Sequence, residues 1–411
     1  FKRYSFRANS GFTAGKFKFG ETMAVSFNSQ NPELQSGGRS IIEHAIKMAP
    51  YFSVRNPDTS SGFQGPDTSL DGQDAENPVR IMLLGENLNK TTAITGSVFA
   101  ELEIIEGVKF KTQVGLDYYT YNNNRFVPSF NDDSEGTTGS QAYATIEKNT
   151  GEGQTISFTN SLNYEKTFAD VHNFDVLLVA DKYENNRSNI NASSQNPISD
   201  EINNLSDEQS SLSSASYETN KLGYLGRINY NYDGKYIFAG SIRRDATSRF
   251  GSNYRWGTFH SLALGWNIAK ESFMEDTKFS NLKLRGSWGI VGNDKIGDYQ
   301  YSASLTSSFT YPIGGVAAVG TSANGFANPN LKWEETTMVN VGLDFGLFNE
   351  KITGSVEYYK NSSDQLLMDR LLPLSLGSNK PALTENVGSV ETNGFELNLG
   401  YNHYGEDFTW S

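Results

Sequence analysis

From Leu222 onward the chain alternates. Leu222, Tyr224, Gly226, Ile228, Tyr230 and Tyr232 fall on one side of an extended segment, with Gly223, Leu225, Arg227, Asn229 and Asn231 on the other. A period of two with one greasy face and one mostly polar face predicts a β-strand. Asp233-Gly234 then supplies a two-residue turn that tolerates positive φ, and alternation resumes through Tyr236, Phe238, Gly240 and Ile242, so the pair reads as a long hairpin. The pattern recurs with Leu262, Leu264, Trp266 and Ile268 opposed by Ser261, Ala263, Gly265 and Asn267. It recurs again with Leu282, Leu284, Gly286, Trp288 and Ile290 opposed by Lys283, Arg285, Ser287 and Gly289. Charge keeps to one face.

Carried along the whole chain, this reading predicts strands near 4–12, 17–28, 94–105, 108–119, 154–166, 172–182, 220–232, 235–244, 257–268, 282–292, 331–345, 351–360 and 393–402, thirteen in all. Most span about 10 to 13 residues, longer than the ~5–6 of soluble sheets and suited to crossing a bilayer at a tilt. The connections alternate in length. Short ones fall at 13–16, 106–107, 167–171, 233–234 and 346–350, with a longer one at 269–281; long ones fall at 29–93, 120–153, 183–219, 245–256, 293–330 and 361–392. All long loops therefore emerge on one side of the sheet, the layout of outer-membrane barrels with short periplasmic turns and long extracellular loops. Within the first long loop, Ile41 to Met48 reads as a short helix that stops before Pro50. Single-chain bacterial barrels normally close on an even strand number. The odd count, and an end at Phe408-Thr409-Trp410-Ser411 that resembles a strand beginning, lead us to expect that residues 1–411 are a partial barrel domain. Both flanks of the barrel would then lie outside this chain.

Composition agrees. Tyr (21), Phe (26) and Gly (39) are abundant while Pro is limited to 11, a mixture that favours strands and turns. Hydrophobic residues make up 37% of the chain and mean hydropathy is −0.50, with no apolar run of helix-spanning length. The absence of Cys excludes disulfides, thiolate metal sites and Cys nucleophiles. A formal charge of −13 opposes nucleic acid as a partner.

Catalytic signals are poor. His44, His172, His260 and His403 are scattered singly, outside any metal-ligand spacing or nucleophile motif, and read as structural or solvent-exposed. The stretch Gly286 to Asn293 lacks the Lys-Ser/Thr of a phosphate loop and belongs to a strand, where its glycines let the sheet bend or admit large neighbours. No cofactor is expected. Asp71, Asp74 and Glu76, like Asp132, Asp133 and Glu135, could ligate Ca²⁺ in the extracellular loops, but neither cluster follows the spacing that would make this specific, and solvated loop acids are the simpler reading. Arg243, Arg244, Asp245, Arg249 and Arg255 concentrate charge around one hairpin tip that ends in Trp256-Gly257. Such a tip holds itself together through Arg–carboxylate pairs, or offers stacking and forked hydrogen bonds to a polar ligand. An outward-facing Tyr or Trp reads first as an interfacial girdle residue.

Several ordered motifs carry a resemblance. Leu225-Gly226-Arg227-Ile228-Asn229-Tyr230 is followed by Arg243 to Gly251, Arg255-Trp256-Gly257-Thr258-Phe259, Gly265-Trp266, Glu271-Ser272-Phe273, Leu282-Lys283-Leu284-Arg285 and Gly292-Asn293. Asn328-Pro329-Asn330-Leu331-Lys332-Trp333-Glu334 and Asn386-Val387-Gly388 complete the series. Together they resemble the SusC/RagA family of TonB-linked transporters, most strongly from about Leu222 to Leu399. The resemblance implies a barrel of about 22 strands closed by an amino-terminal plug, with the signal peptide, the plug and the first strands expected upstream of this chain and the final strands downstream. It also implies a SusD-like lipoprotein over the extracellular mouth, TonB as the energising partner, outer-membrane lipid around the wall and a dimer of transporter–lipoprotein pairs. The ligand would be an oligosaccharide or an oligopeptide. Residues on the expected path are Arg227, Asn229, Lys283 and Arg285 on the luminal face, with Arg249 and Arg255 at the hairpin tip.

Two other classes share part of the pattern. A passive porin has the same strands and loop parity without a plug or TonB coupling. A surface adhesin built from soluble sheets has shorter strands and no lipid-facing band, and detergent-free solubility of the full-length protein would favour it.

Overall fold

The computed structural model describes residues 1–411 except 35–39, 66–74, 132–139, 196–203, 206–209, 304, 324, 377–381, 405–408 and 411. Thirteen strands build one antiparallel sheet: β1 (Lys2–Ala14), β2 (Phe17–Gln30), β3 (Glu86–Ile105), β4 (Val108–Val127), β5 (Thr145–Phe168), β6 (His172–Gln195), β7 (Ser210–Tyr232), β8 (Tyr236–Thr247), β9 (Trp256–Asn267), β10 (Phe279–Asn293), β11 (Glu334–Leu347), β12 (Ile352–Asp364) and β13 (Ser389–Tyr401). Every strand pairs with its neighbours in the sequence, so the sheet is an uninterrupted meander. Among the described residues, β1 and β13 are each paired along one edge. The short turns lie where the alternation placed them. At Asp233 (φ 53°) and Gly234 (φ 63°) both central residues take the left-handed conformation that a two-residue hairpin requires.

The expected strand length needs correction. β5 and β6 are 24 residues each, β7 is 23, and β3 and β4 are 20. Much of the segments expected as loops, 120–153 and 183–219, is ladder: β6 and β7 stay in register from His172↔Tyr232 up to Ser194↔Ser210. The extensions consist largely of Asn, Ser and Thr. Polar side chains stand on both of their faces, so no apolar alternation marks them, yet backbone pairing continues regardless of side chain. The loops at 293–330 and 361–392 likewise contain hairpins, Leu305–Ile313 with Val316–Ala323 and Leu367–Leu371 with Ala382–Asn386. Helix α1 (Ile41–Lys47) forms as expected, capped by Ser40, whose Oγ accepts from the Glu43 N–H. The second loop helix, α2 (Pro78–Leu83), is capped by Asn77. Its Asn-Pro start was a readable signal that the hydrophobic pattern passed over.

Register assigns every side chain to a face. One row across β7 to β13 runs Tyr230, Phe238, Leu264, Gly286, Val341, Tyr358, Phe395. The adjacent row on the other face runs Asn229, Ala239, Ala263, Ser287, Asn340, Tyr359, Gly394. The apolar rows are uncovered by protein, with Phe395 80% and Leu264 55% exposed. Leaving such a side chain in water forfeits about 1.5–3 kcal/mol relative to burial, so this face demands an apolar solvent. Aromatic rings border it. Near the short turns His172, Tyr232, Tyr236 and Trp266 follow one another at centroid spacings of 5.0, 6.1 and 6.5 Å, and near the long loops Tyr224 stacks on Trp256 at 6.1 Å. From Tyr224 to Tyr232 the strand advances about 26 Å at ~3.3 Å per residue, before allowance for tilt, which matches the apolar band of an outer-membrane barrel.

Conventional packing sits at the long-loop end. Phe250, Phe259, Leu331 and Trp333 form a buried cluster, with Trp333 edge-on to both phenyl rings at 5.6 and 5.4 Å. Trp333 Nε1 donates to the Arg255 carbonyl at 2.9 Å, tying the β8–β9 tip to the segment before β11. Phe259 lies where a Cβ on Gly257 or Gly292 would stand, at 2.5 and 2.1 Å from its ring, so those two positions must be glycine to admit it.

Candidate functional site

Three charge clusters stand out: two on the polar face each span three consecutive strands, and the third lies at the long-loop end. Arg285 on β10 reaches across β11 to β12. Its Nε donates to Asp344 Oδ2 at 3.1 Å, Nη2 to Glu357 Oε2 at 2.6 Å and Nη1 to Asn340 Oδ1 at 3.3 Å, while Asn340 also donates to Glu357. The guanidinium lies over Gly342, where an added Cβ would come within 2.7 Å of Cζ. The second cluster centres on Arg243 of β8, with Nη2 3.0 Å from Asp181 Oδ2 on β6 and 2.8 Å from Asp245 Oδ1. Gly223 of the intervening β7 makes the span open, since a Cβ there would stand 2.5 Å from Arg243 Nη2.

The third cluster belongs to the extracellular hairpins. Asp298, with a side chain only 4% exposed, accepts from Arg249 Nε at 3.1 Å, Arg187 Nη2 at 2.9 Å and Thr219 Oγ1 at 2.7 Å. Asp294 accepts from Lys221 Nζ at 2.8 Å, and its carbonyl accepts from Arg249 Nη1 at 3.2 Å. Tyr299 Oη completes the attachment by accepting from the Glu218 N–H at 3.1 Å. The segment after β10 is thereby fastened to β6 and β7.

The six path residues fall into two groups. Register puts Arg227, Asn229, Lys283 and Arg285 on the polar face. Arg227 is exposed, 3.9 Å from Asp175 Oδ1, while Asn229 and Lys283 are half-buried. Arg285 and Arg249 are engaged by carboxylates, whereas the exposed Arg255 donates through Nε to the Phe250 carbonyl at 3.3 Å. Of the two readings of the arginine-rich tip, this geometry is the self-bracing one. The acids that complete the clusters, Asp181, Asp294, Asp298, Asp344 and Glu357, were not singled out from the sequence. For Asp181, Asp344 and Glu357 the available signal was a carboxylate at an inward position of an alternating strand.

The loop between β2 and β3 packs α1 against α2. His44 is buried, and its Nδ1 accepts from the Glu76 N–H at 2.9 Å; Arg80 pairs with Glu76 and lies 3.7 Å over the Phe130 ring. On the short-turn side, Glu271 accepts from Tyr236 Oη at 2.7 Å and Trp266 Nε1 at 3.0 Å, and these two bonds hold its carboxyl below the usual carboxylate range. Among the described residues, no group of three or more His, Asp or Glu is placed to hold a metal ion. Asp71, Asp74, Asp132, Asp133 and Glu135 lie outside the described residues.

Residues 45–411 match the family model described as TonB dependent receptor-like, beta-barrel. The chain is 31% identical over 383 residues to the TonB-dependent receptor P3 of Formosa agariphila, covering 92% of this chain and 37% of that protein. It is 27% identical over 428 residues to the TonB-dependent receptor SusC of Bacteroides thetaiotaomicron, covering 98% and 40%. The chain thus spans about two fifths of the length of these relatives. Among solved structures it resembles the RagAB peptide transporter, with a TM-score of 0.82 and 23% identity over 98% of this chain and 44% of that one. It also resembles the ferripyoverdine receptor of the outer membrane of Pseudomonas aeruginosa, at 0.56 and 11% over 97% and 47%. At these identities the likeness is one of fold. It makes the apolar face the lipid side and the polar face the lumen. The chain belongs to the TonB-dependent receptor β-barrel family, a family of outer-membrane transporters and not of enzymes.

Proposed function

We propose that this sheet is wall and extracellular rim of an importer that takes up an oligosaccharide or an oligopeptide, energised through TonB and capped by a SusD-like surface lipoprotein. The observation that carries this reading is the combination of a lumen wall braced by closed Arg–carboxylate clusters with long ordered hairpins that all rise on one rim. A wide hydrated lumen with fixed walls passes a polar oligomer by exchanging hydrogen bonds, and the hairpins offer a large surface for capture at the mouth. No covalent step is needed. Arg285, Arg249 and Arg255 shape the wall and the mouth, while Arg227, Asn229 and Lys283 keep hydrogen-bonding capacity for ligand hydroxyls or amides. The names of the relatives support this reading, one being a TonB-dependent receptor SusC and another a RagAB peptide importer. Two transporter–lipoprotein pairs would associate as a dimer.

The test is uptake by a strain lacking the full-length protein, supplied with labelled glycan and peptide series, with and without an intact TonB. Loss of uptake for one class on deletion, and equal loss on TonB disruption, is the expected result. Flux that persists without TonB would replace the importer by a passive porin. The mass of the complex extracted in mild detergent reads the lipoprotein and the dimer together.

A further inference from the structure

Arg244 stands apart from the arginines just described. Its neighbour Arg243 turns into the lumen, whereas Arg244 pairs in register with Tyr224 and Thr258 on the lipid side. Among the described residues it has no carboxylate partner, and its recorded contact is with an aromatic face: Cζ lies 4.9 Å over the Trp256 ring, which itself stacks on Tyr224. The guanidinium is therefore held at the extracellular girdle with its N–H fork unspent. At the edge of hydrocarbon, five donors without an acceptor are costly, and the fork matches a phosphate. Lys182 faces the same side nearby but is already paired with Glu184.

Directly below Arg244 the apolar face is indented. A groove of about 500 Å³ runs along Phe110, Leu162, Leu178, Tyr224 and Ile242, with Arg244 on its rim and Gly226 in its floor. Leu178 and Ile242 flank the glycine, each about half exposed. A Cβ on Gly226 would meet both at an ordinary 3.7 Å, so the fold does not require glycine there; its absence of a side chain leaves the channel open. A cationic fork above a slot between apolar ridges, on the surface that lipid covers, has the two-part chemistry of a phosphorylated amphiphile.

We propose that this groove binds one phosphorylated lipid of the outer leaflet, with the phosphate on Arg244 and an acyl chain lying over Gly226 between Leu178 and Ile242. The site is separate from the lumen and independent of what the barrel imports. Charge and shape agree on the occupant: the guanidinium of Arg244, without a carboxylate partner on the lipid face, attracts a lipid phosphate. The slot below then adds the apolar contact that a free anion lacks.

The experiment uses the full-length protein exchanged into vesicles of phosphatidylethanolamine doped with lipid A, then released intact for native mass spectrometry. Wild type should retain lipid A. Arg244→Gln should lower the retained fraction about tenfold, the scale of one lost charge-assisted contact. Arg244→Lys should fall between, and Gly226→Leu, which fills the slot but keeps the cation, should also lose retention. Dephosphorylated lipid A should bind wild type no better than Arg244→Gln. Equal retention by wild type and Arg244→Gln would overturn the proposal, as would displacement of the lipid by inorganic phosphate alone. If Gly226→Leu does not fold, judged by heat-dependent migration in SDS, the Arg244 pair still decides the question.

Discussion

Replacing Asp298 by Asn tests whether the third cluster is a latch. The substitution keeps shape and removes the charge that three donors share: Arg249, Arg187 and Thr219. Breaking a buried ion pair costs about 3–5 kcal/mol. Here the carboxylate is 4% exposed but Arg187 is 43% exposed, so part of the charge interaction is already screened; ~3 kcal/mol is the working figure, toward the lower end of that range. The loss is local because the barrel ladder does not pass through this segment. Hydrogen exchange of the full-length protein in lipid should therefore show amides near 294–302 opening about a hundredfold more often, as ~3 kcal/mol implies, with the β10–β11 ladder unchanged. Arg249→Met should produce much of the same opening, and the double variant should fall well short of the sum. Additive effects, or protection in Asp298→Asn equal to wild type, would show that Asp298 does not fasten this segment.

Gly342→Ala should lower the urea midpoint of the barrel, because its Cβ would stand 2.7 Å from the Arg285 guanidinium carbon; in an Arg285→Met background the same change should be close to neutral. Trp333→Ala should cost about 3–5 kcal/mol, as for a large buried aromatic, and expose the β8–β9 tip to protease, since it removes both phenyl contacts and the bond to the Arg255 carbonyl. Glu271 is depressed, so its contribution to stability is complete above the ordinary carboxylate pKa and is lost as pH falls through the lowered one. Glu271→Gln should flatten the acid limb of a thermal-melting profile; an unchanged limb would remove Glu271 from the account.

How far the fold could be read from the sequence depended on the solvent around each segment. Where one face meets lipid and the other water, period two survives, and all thirteen band segments from Lys2 to Tyr401 lie where alternation put them. Above Tyr224 the contrast vanishes. Asn185-Asn186-Arg187-Ser188-Asn189 pairs with Ala215 to Thr219 in a continuous ladder, but no difference between its faces marks it as strand. The site was legible in kind and not in wiring. Inward positions such as Arg285 follow from alternation, but its partners lie 55 to 72 residues downstream, and only the register of β10, β11 and β12 brings them together. Arg243 and Arg244 show the limit most plainly: adjacent in sequence, they face opposite solvents.

That wiring bears on what the lumen can attract. In each of the two wall clusters one guanidinium meets two carboxylates, Arg285 with Asp344 and Glu357, and Arg243 with Asp181 and Asp245, for a formal charge of minus one apiece. An anion-selective pore needs an unpaired basic ladder along its wall, and these arginines cannot supply one because their charge is compensated in place. Their planar forks instead fix neighbouring strands against each other at spacings that Gly223 and Gly342 keep clear. With its cation paired in place, neither cluster presents a free positive charge to a small anion. On the importer role proposed above, such a wall would suit a ligand that binds through many weak polar contacts, as an uncharged glycan or a peptide backbone does, and would leave selectivity to Arg227, Asn229, Lys283 and the hairpins above them.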